Sequence, residues 1–558
     1  MHSASTKQSL SSFIARFNAK RRSAKPVGFA ETATPPLVPQ EIYVGVEKAD
    51  GSGEIDEART KRLFAGLTKK IERTRFPFAD NIGHTNPYIP AGYTYLAQFV
   101  AHDLTINSGL DEGLEPESQP INLRSHPLHL DCLYGYGPSI EPACYELFTR
   151  RPLPQRIGWP RTRFRLDGMS DDNFTRPADP ARHPRRDIGR LVEPRGANTA
   201  GIALVADLRN DDNAVISQLT ALLQLTHNTA MEVLEAGLDP ASPEESFRNF
   251  SRVRGALTHV YRKIIRHDLL PRLLNGEVVA HYETKDSPFF DKLGDDVFVT
   301  PEFAHAAYRA GHAMVRESYF FNSEPPVEHN LMDVLRRNSE RNPPKTPHNR
   351  DWIIAWSYFF DLGIREARAS GRLEPRFETP LHDDTLFPSM EDSEPAGLAY
   401  RDLVRSATTG VRKIDTLAEQ IAYSQPELAA ASPWIGSPAI RQEAMRRWIE
   451  ADKTIDLGDL KEEAVNNPPP MIYFLVEAAA AEDGFRLGPL GSVVLAETFY
   501  RALSHRRSVP FGGRDPQEDA ERIFGTPTPA SMPDLIRWVD ENMPLEDKTF
   551  LETDIPLI

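Results

Sequence analysis

Three short segments carry residue types that could do proton or redox chemistry. In Gln98-Phe99-Val100-Ala101-His102-Asp103, Gln98 and His102 lie four residues apart in an otherwise apolar stretch. On a helix they share a face, and two polar side chains on a buried face need partners. An imidazole in such a place can take up and return a proton. Taken singly, a core histidine reads as a satisfied structural residue, so its companions carry the argument. The second segment is Asp207-Leu208-Arg209-Asn210-Asp211-Asp212-Asn213, just before a long apolar run that contains Thr226-His227-Asn228. Asp211, Asp212 and Asn213 fit helix N-caps, and Arg209 could simply pair with these acids. The third is Ala307-Tyr308-Arg309-Ala310-Gly311-His312. A glycine next to a histidine lets a flat group approach the backbone. Arg309, three residues before His312, falls on the same side of a helix.

These residues need rigid elements to hold them. Helical periodicity is strongest from near Pro90 through Tyr95–Leu104, from Asn213 to Ala236, over Glu244–His267, and over Pro301–Met314. Ser242 with Pro243 marks the start of the third. Further helices are expected at Gly488–Leu503 and Met532–Val539, and a short strand at Val278–Tyr282. The expectation is a mostly α chain with little β. It would have a polar, Pro-rich arm over residues 1–40, a single large helical domain over 41–505 and an extension over 506–558 packed on it. The 47 prolines favour many short helices and long ordered loops. The longest such loop, 107–194, is long enough to hold an ion, line a channel or cover a cofactor.

Composition excludes several classes. A net charge of -15 repels polyanions on average, which argues against nucleic-acid binding. Two cysteines, Cys132 and Cys144, cannot build a multi-cysteine metal site or a dense disulfide framework; two free thiols or one bridge are the readings. The basic N-terminus lacks an apolar core before a cleavage site, and no apolar run reaches the ~18 residues of a membrane span. The expectation is therefore a cytoplasmic chain without a transmembrane segment.

Taken together and in order, the three segments resemble the animal haem peroxidase superfamily, the group of myeloperoxidase and the cyclooxygenases. The motifs are Tyr95 to Asp103, Asp207 to Asn213 with His227-Asn228, and Tyr308-Arg309-Ala310-Gly311-His312-Ala313-Met314. Weaker echoes lie in Arg252–Pro271 and in Arg486-Leu487-Gly488-Pro489-Leu490-Gly491. The few cysteines make it most similar to bacterial members. The resemblance spans roughly residues 60 to 505 and implies a large helical haem-binding fold. Hydrogen peroxide would oxidise a small organic or halide reductant through a ferryl intermediate.

The same resemblance implies roles. His102 would be the distal histidine, Arg209 the distal arginine, and Gln98 the holder of a distal water or halide. His312 would be the iron ligand and Arg309 a partner of a haem propionate. Asp402, in Leu398-Ala399-Tyr400-Arg401-Asp402-Leu403-Val404-Arg405, stands where the family's proximal asparagine is expected, with Arg405 as a second propionate-side arginine. His305 is the rival for the iron; Arg309 and Gly311 favour His312. A calcium site beside the distal histidine would use Asp103, Ser125 and Asp131. His129 stands where a carboxylate is expected, so a lost site, with Asp103 hydrogen-bonding the loop, is the equal alternative.

Departures from the family pattern narrow the expectation. Ala101 and Asn213 replace residues that form covalent haem links in some members, and Asp212 is a methylene shorter than the usual glutamate. Non-covalent haem b follows. Arg309 occupies the position of the radical-forming tyrosine of cyclooxygenase-type members, which favours a peroxidase over a fatty-acid dioxygenase. A non-enzymatic haem-binding protein is the other alternative, and it would need none of His102, Arg209 and Gln98.

Overall fold

The run Ala214–Met231 contains no charged residue, and in the computed structural model every residue of it is buried. A helix covered on all sides must sit at the centre of its domain, and the rest of the chain is arranged around it. The structure describes residues 9–23, 41–79, 83–106, 122, 124, 126–146, 162–168, 185–193, 199–235, 242–284, 299–322, 327–346, 349–504, 515–544 and 557–558.

In chain order, the helices that matter here are α1 (Leu10–Ser23), α2 (Glu57–Arg73), α3 (Gly92–Leu104), α4 (Ala214–Glu235), α5 (Pro243–Ile264), α6 (Gly276–Thr284), α7 (Leu398–Thr408), α8 (Pro470–Ala481), α9 (Pro489–Ser504), α10 (Pro516–Phe524) and α11 (Met532–Asn542). Strands are short. Among the described residues they form four two-stranded antiparallel sheets, such as Thr85–Pro90 with Ala369–Gly371. The fold is mostly α, as composition and periodicity predict.

The central helix α4 packs against α3, α5, α10 and α11. Several of its polar residues bond backbone groups. Thr220 and Thr226 hydroxyls donate to carbonyls one turn back, and the Asn228 amide exchanges hydrogen bonds with both backbone groups of Phe164. His227 donates from Nε2 to the Thr162 carbonyl and accepts the Tyr134 hydroxyl at Nδ1. It is a buried structural residue, and burial pushes its pKa down to about 3.

Three elements differ from the sequence expectation. Val278–Tyr282 lies inside helix α6 and is not a strand. The Asn275 side chain accepts the Glu277 and Val278 amides, and Val278 and Tyr282, one turn apart, bury the same face. Tertiary packing overrides the strand preference of the valine pair. Within the N-terminal arm, residues 10–23 form α1, which buries Leu10 and Ile14 and exchanges two hydrogen bonds between Asn18 and the backbone of Ile55. Pro301–Met314 does not continue as an α-helix: Phe303–Ala307 is a π turn and Tyr308–Met314 a 3-10 segment. Most of the loop read at 107–194 falls outside the described residues. Cys132 and Cys144 are buried, unpaired thiols.

The segment Arg486 to Gly491 has a packing reason. The buried Glu477 carboxylate on α8 accepts the Leu490 and Gly491 amides at 2.8 and 3.0 Å, capping the start of α9. A Cβ at Gly488 would lie 2.3 Å from Cγ of Glu477. Gly488→Ala is therefore expected to destabilise the fold by about 1–3 kcal/mol, measured as a lower urea midpoint with an unchanged slope. An unchanged midpoint would show that this contact is slack.

Candidate active site

Helix α3 presents Gln98 and His102 one turn apart, and the chain entering α4 brings Arg209, Asn210, Asp212 and Asn213 to the same end. The His102 ring is buried, with Nδ1 2.8 Å from Oδ1 of Asn210. The other end of that amide donates to the Cys132 carbonyl at 3.0 Å. Oδ1 must then face the ring, so Nδ1 carries the proton and Nε2 keeps its lone pair. Burial, with help from the Arg209 cation, pushes the imidazole pKa down to about 4, against the pull of Asp207 and Asp212. The ring is neutral at pH 7 and can accept a proton.

Arg209 is held in place before any ligand arrives. Its Nε and Nη2 donate to both oxygens of Asp207 at 3.0 and 2.7 Å, and Nη2 also meets the carbonyls of His102 and Thr105. Nη1 has no partner among the described residues. Asp207 in turn caps the Arg209 backbone amide. Gln98 accepts a hydrogen bond from Asn213 at 3.3 Å, while Asn213 Oδ1 caps the first turn of α4. The fold therefore brings Gln98, His102, Arg209 and Asp212 together.

The third segment runs alongside. The Tyr308 hydroxyl donates to the Ala97 carbonyl at 2.7 Å, and the Thr94 hydroxyl reaches the Met314 carbonyl at 3.5 Å. These contacts tie the His312 segment to the helix that carries His102. In the 3-10 turn, residues three apart eclipse, so Arg309 and His312 project together. His312 Nδ1 lies 2.7 Å from Oδ2 of Asp402 on α7. That carboxylate is 1% exposed, and its other oxygen is 3.5 Å from Nη1 of Arg309. Nδ1–H thus donates to Asp402, and Nε2 is left without a partner among the described residues. Phe377 packs edge-on against the ring.

The residues on this side fit a haem. His312 is 27% exposed with Nε2 uncommitted among the described residues. A Cβ on Gly311 would meet nothing within 4 Å, so open space lies beside His312. Burial and the nearby Arg309 cation lower the Arg405 pKa. Arg309 and Arg405 both lie near the Asp402 carboxylate, cations that suit an acidic group. The rival His305 is less suited to bind iron. Its Nδ1 is buried without a partner, and burial beside Arg309 and Arg405 pushes its pKa down to about 3.

The residues expected for calcium do not fit that ion. Asp103 accepts the amides of Leu130 and Cys132 with its two oxygens at 2.9 and 3.2 Å. Asp131 is paired with Arg254 at 2.9 Å. Ser125 lies outside the described residues. No cluster of three or more metal-binding side chains occurs among the described residues.

Sequence reasoning assigned no role to Asn210 or Asp207, and it passed over Arg124. Asn210 was legible only as a neighbour of Arg209. Arg124 sits in the loop that returns to the end of α3, and nothing in the local sequence marks it.

A family model described as animal haem peroxidase matches residues 175–351. The matched stretch holds Arg209, Asp212, Arg309 and His312, whereas Gln98, His102 and Asp402 lie outside it. No curated protein matches the sequence. Among solved structures, peroxidase A from Dictyostelium discoideum is similar over 90% of this chain and 92% of its own, with 14% identity and a TM-score of 0.53. The fatty acid alpha-dioxygenase of Oryza sativa covers 90% of this chain and 82% of its own at 13% identity and TM-score 0.54. That of Arabidopsis thaliana covers 93% and 82% at 14% and 0.54. At these identities the likeness is one of fold. No helix among the described residues is long and apolar enough to cross a membrane. Residues 175–351 are thus similar to the animal haem peroxidase family, and the fold of the chain is similar to that of a peroxidase and of fatty acid alpha-dioxygenases.

Proposed function

We propose that this chain is a haem peroxidase that uses hydrogen peroxide to oxidise a small organic or halide substrate. The observation that carries the reading is the pair of imidazoles, His102 and His312, on two tied elements. Each has Nδ1 engaged by a side-chain oxygen and Nε2 free. A carrier or scaffold needs no such matched pair.

His312 would hold the iron through Nε2, and Arg309 and Arg405 would meet the haem's acidic edge. Ala101 and Asn213 offer no group for a covalent link, so the haem b would be held without one. When bound, the haem supplies the redox chemistry. The protein supplies the proton path and the field. His102 Nε2 takes a proton from hydrogen peroxide and returns it to the leaving oxygen, as general base and then general acid. Arg209, fixed by Asp207, sets its free Nη1 against the negative charge that develops as the O–O bond breaks. The Gln98 amide N–H groups hold a water or halide. Asp402 gives the His312 ring imidazolate character, which favours O–O cleavage and lowers the iron reduction potential.

The dioxygenase likeness in fold supplies a second reading, which Arg309 disfavours: it stands where cyclooxygenase-type members have their tyrosine. The deciding experiment is the absorption spectrum of the haem-loaded protein with hydrogen peroxide. A histidine-ligated Soret band that shifts with peroxide and returns with a phenolic donor is expected. Oxygen uptake with palmitic acid, and no peroxide-dependent donor oxidation, would assign the dioxygenase reading.

Two variants test the residue roles. His102→Ala should slow the reaction with peroxide by on the order of a hundredfold or more. In the native chain that reaction should stay level from about pH 8 to about pH 5 and fall only as pH approaches 4, where the ring gains its proton; a limb near pH 6.5 would contradict the buried neutral ring. Asp402→Asn should raise the reduction potential of the haem-loaded protein, and equal potentials in a redox titration would remove Asp402 from this role.

A further inference from the structure

Two residues that precede the short helix Asp131–Tyr134, Asn122 and Arg124, bond the C-terminal end of α3. Asn122 accepts the Ile106 amide at 3.0 Å and donates to the Leu104 carbonyl at 2.9 Å. Arg124 donates from Nε to the His102 carbonyl at 3.1 Å and pairs through Nη2 with Asp207. The same His102 carbonyl accepts Nη2 of Arg209 at 3.0 Å, and the same Asp207 chelates Arg209. Two guanidiniums therefore bracket one buried carboxylate and share the carbonyl of the histidine itself.

This bracket has a specific mechanical consequence. Helix ends leave carbonyls unsatisfied, and cations there are stabilising. The last turn of α3 is closed by Arg124 and Arg209, which fixes the backbone of His102 from outside the helix. A planar guanidinium on a carboxylate sets direction as well as charge. Arg209 is 28% exposed, whereas Arg124 is 11% exposed and Asp207 is 4% exposed, so the pair with Arg124 is the better buried half. Nearby, both oxygens of Asp103 are taken by loop amides and Asp131 by Arg254. Among the described residues, the two carboxylates expected to meet a divalent ion, Asp103 and Asp131, are each engaged by protein groups.

We propose that Arg124 is a positioning residue that sets His102 and Arg209, as an internal cation doing the work a divalent ion would do in joining this loop to the distal helix. The inference rests on the peroxidase reading for the roles of His102 and Arg209; the fastening of the loop stands independently of it. Arg124 touches no reacting atom. It acts through Asp207 and the His102 carbonyl.

The test has two arms. In the first, the native chain is titrated with calcium and with a chelator while melting temperature and binding heat are followed. No heat and no shift are expected; stoichiometric calcium binding that raises the melting temperature would overturn the proposal. In the second, Arg124→Ala is loaded with haem and mixed with peroxide. Loss of alignment should slow the reaction by on the order of ten- to a hundredfold. Asp207, relieved of one cation, should draw the His102 acid limb upward from about 4. The charged groups acting on that ring are Arg209, Asp207 and Asp212. Added guanidinium ion should restore rate and limb in Arg124→Ala, and calcium should not. An unchanged rate and limb would sink the assignment. If Arg124→Ala does not fold, Arg124→Lys, which keeps the charge and loses the fork, should show a weaker form of the same two changes. A native chain that binds haem and ignores peroxide would instead defeat the functional reading and leave the calcium arm intact.

Discussion

An imidazole set in or against the core must place its ring N–H somewhere, and that requirement organises this site. On the α3 side the acceptor is a neutral amide, Asn210, itself fixed by the Cys132 carbonyl. On the other side it is a carboxylate, Asp402, with Arg309 on its far oxygen. Both choices deliver the same outcome, a free Nε2, but with opposite electronic effect. An amide leaves the ring neutral and able to accept a proton; a carboxylate enriches the ring and makes it a stronger donor. Two histidines with similar local geometry thereby become suited to different tasks.

The electrostatics around the pair follow from where charge can be compensated. Asp207 is nearly buried yet stays ionised; Arg209, with smaller contributions from His102 and Arg124, holds its pKa down to about 2 against the cost of burial. Asp103, equally buried and accepting only backbone amides at short range, is pushed up to about 6 by burial and by Asp131. The contrast shows what a paired guanidinium contributes in a dry region: it lowers the pKa of a buried carboxylate further than backbone amides do.

Backbone irregularity is placed where it serves the site. The π turn at Phe303–Ala307 and the 3-10 segment at Tyr308–Met314 break a helix that periodicity alone would continue. Widening and then tightening the coil rotates the side chains between residues 303 and 312. The 3-10 spacing then aligns Arg309 with His312, and the turn lets Tyr308 bond Ala97 across to α3. Such interruptions are common where a helix must present a ligand.

The sequence by itself determined the helical class, most of the long helices, and which residue types could do chemistry. Those properties reside in local patterning: the uncharged run of α4, the i, i+4 pair Gln98 and His102, and the spacing of Arg309 to His312. The order of the three segments carried the family resemblance, and with it the expectation for Asp402, 90 residues from His312 in sequence. What the tertiary structure decided was the partner of each polar atom. That Asn210 orients His102, that Asp207 locks Arg209, that Arg124 reaches the His102 carbonyl, and that Asp103 spends itself on loop amides are all contacts between distant segments. Hydrogen-bond partners in a core are set by which elements pack together, and no local pattern encodes that. The same holds for Val278–Tyr282, where a valine pair that favours a strand forms a helix. Its buried face and the Asn275 cap outweigh an intrinsic preference of at most ~1 kcal/mol.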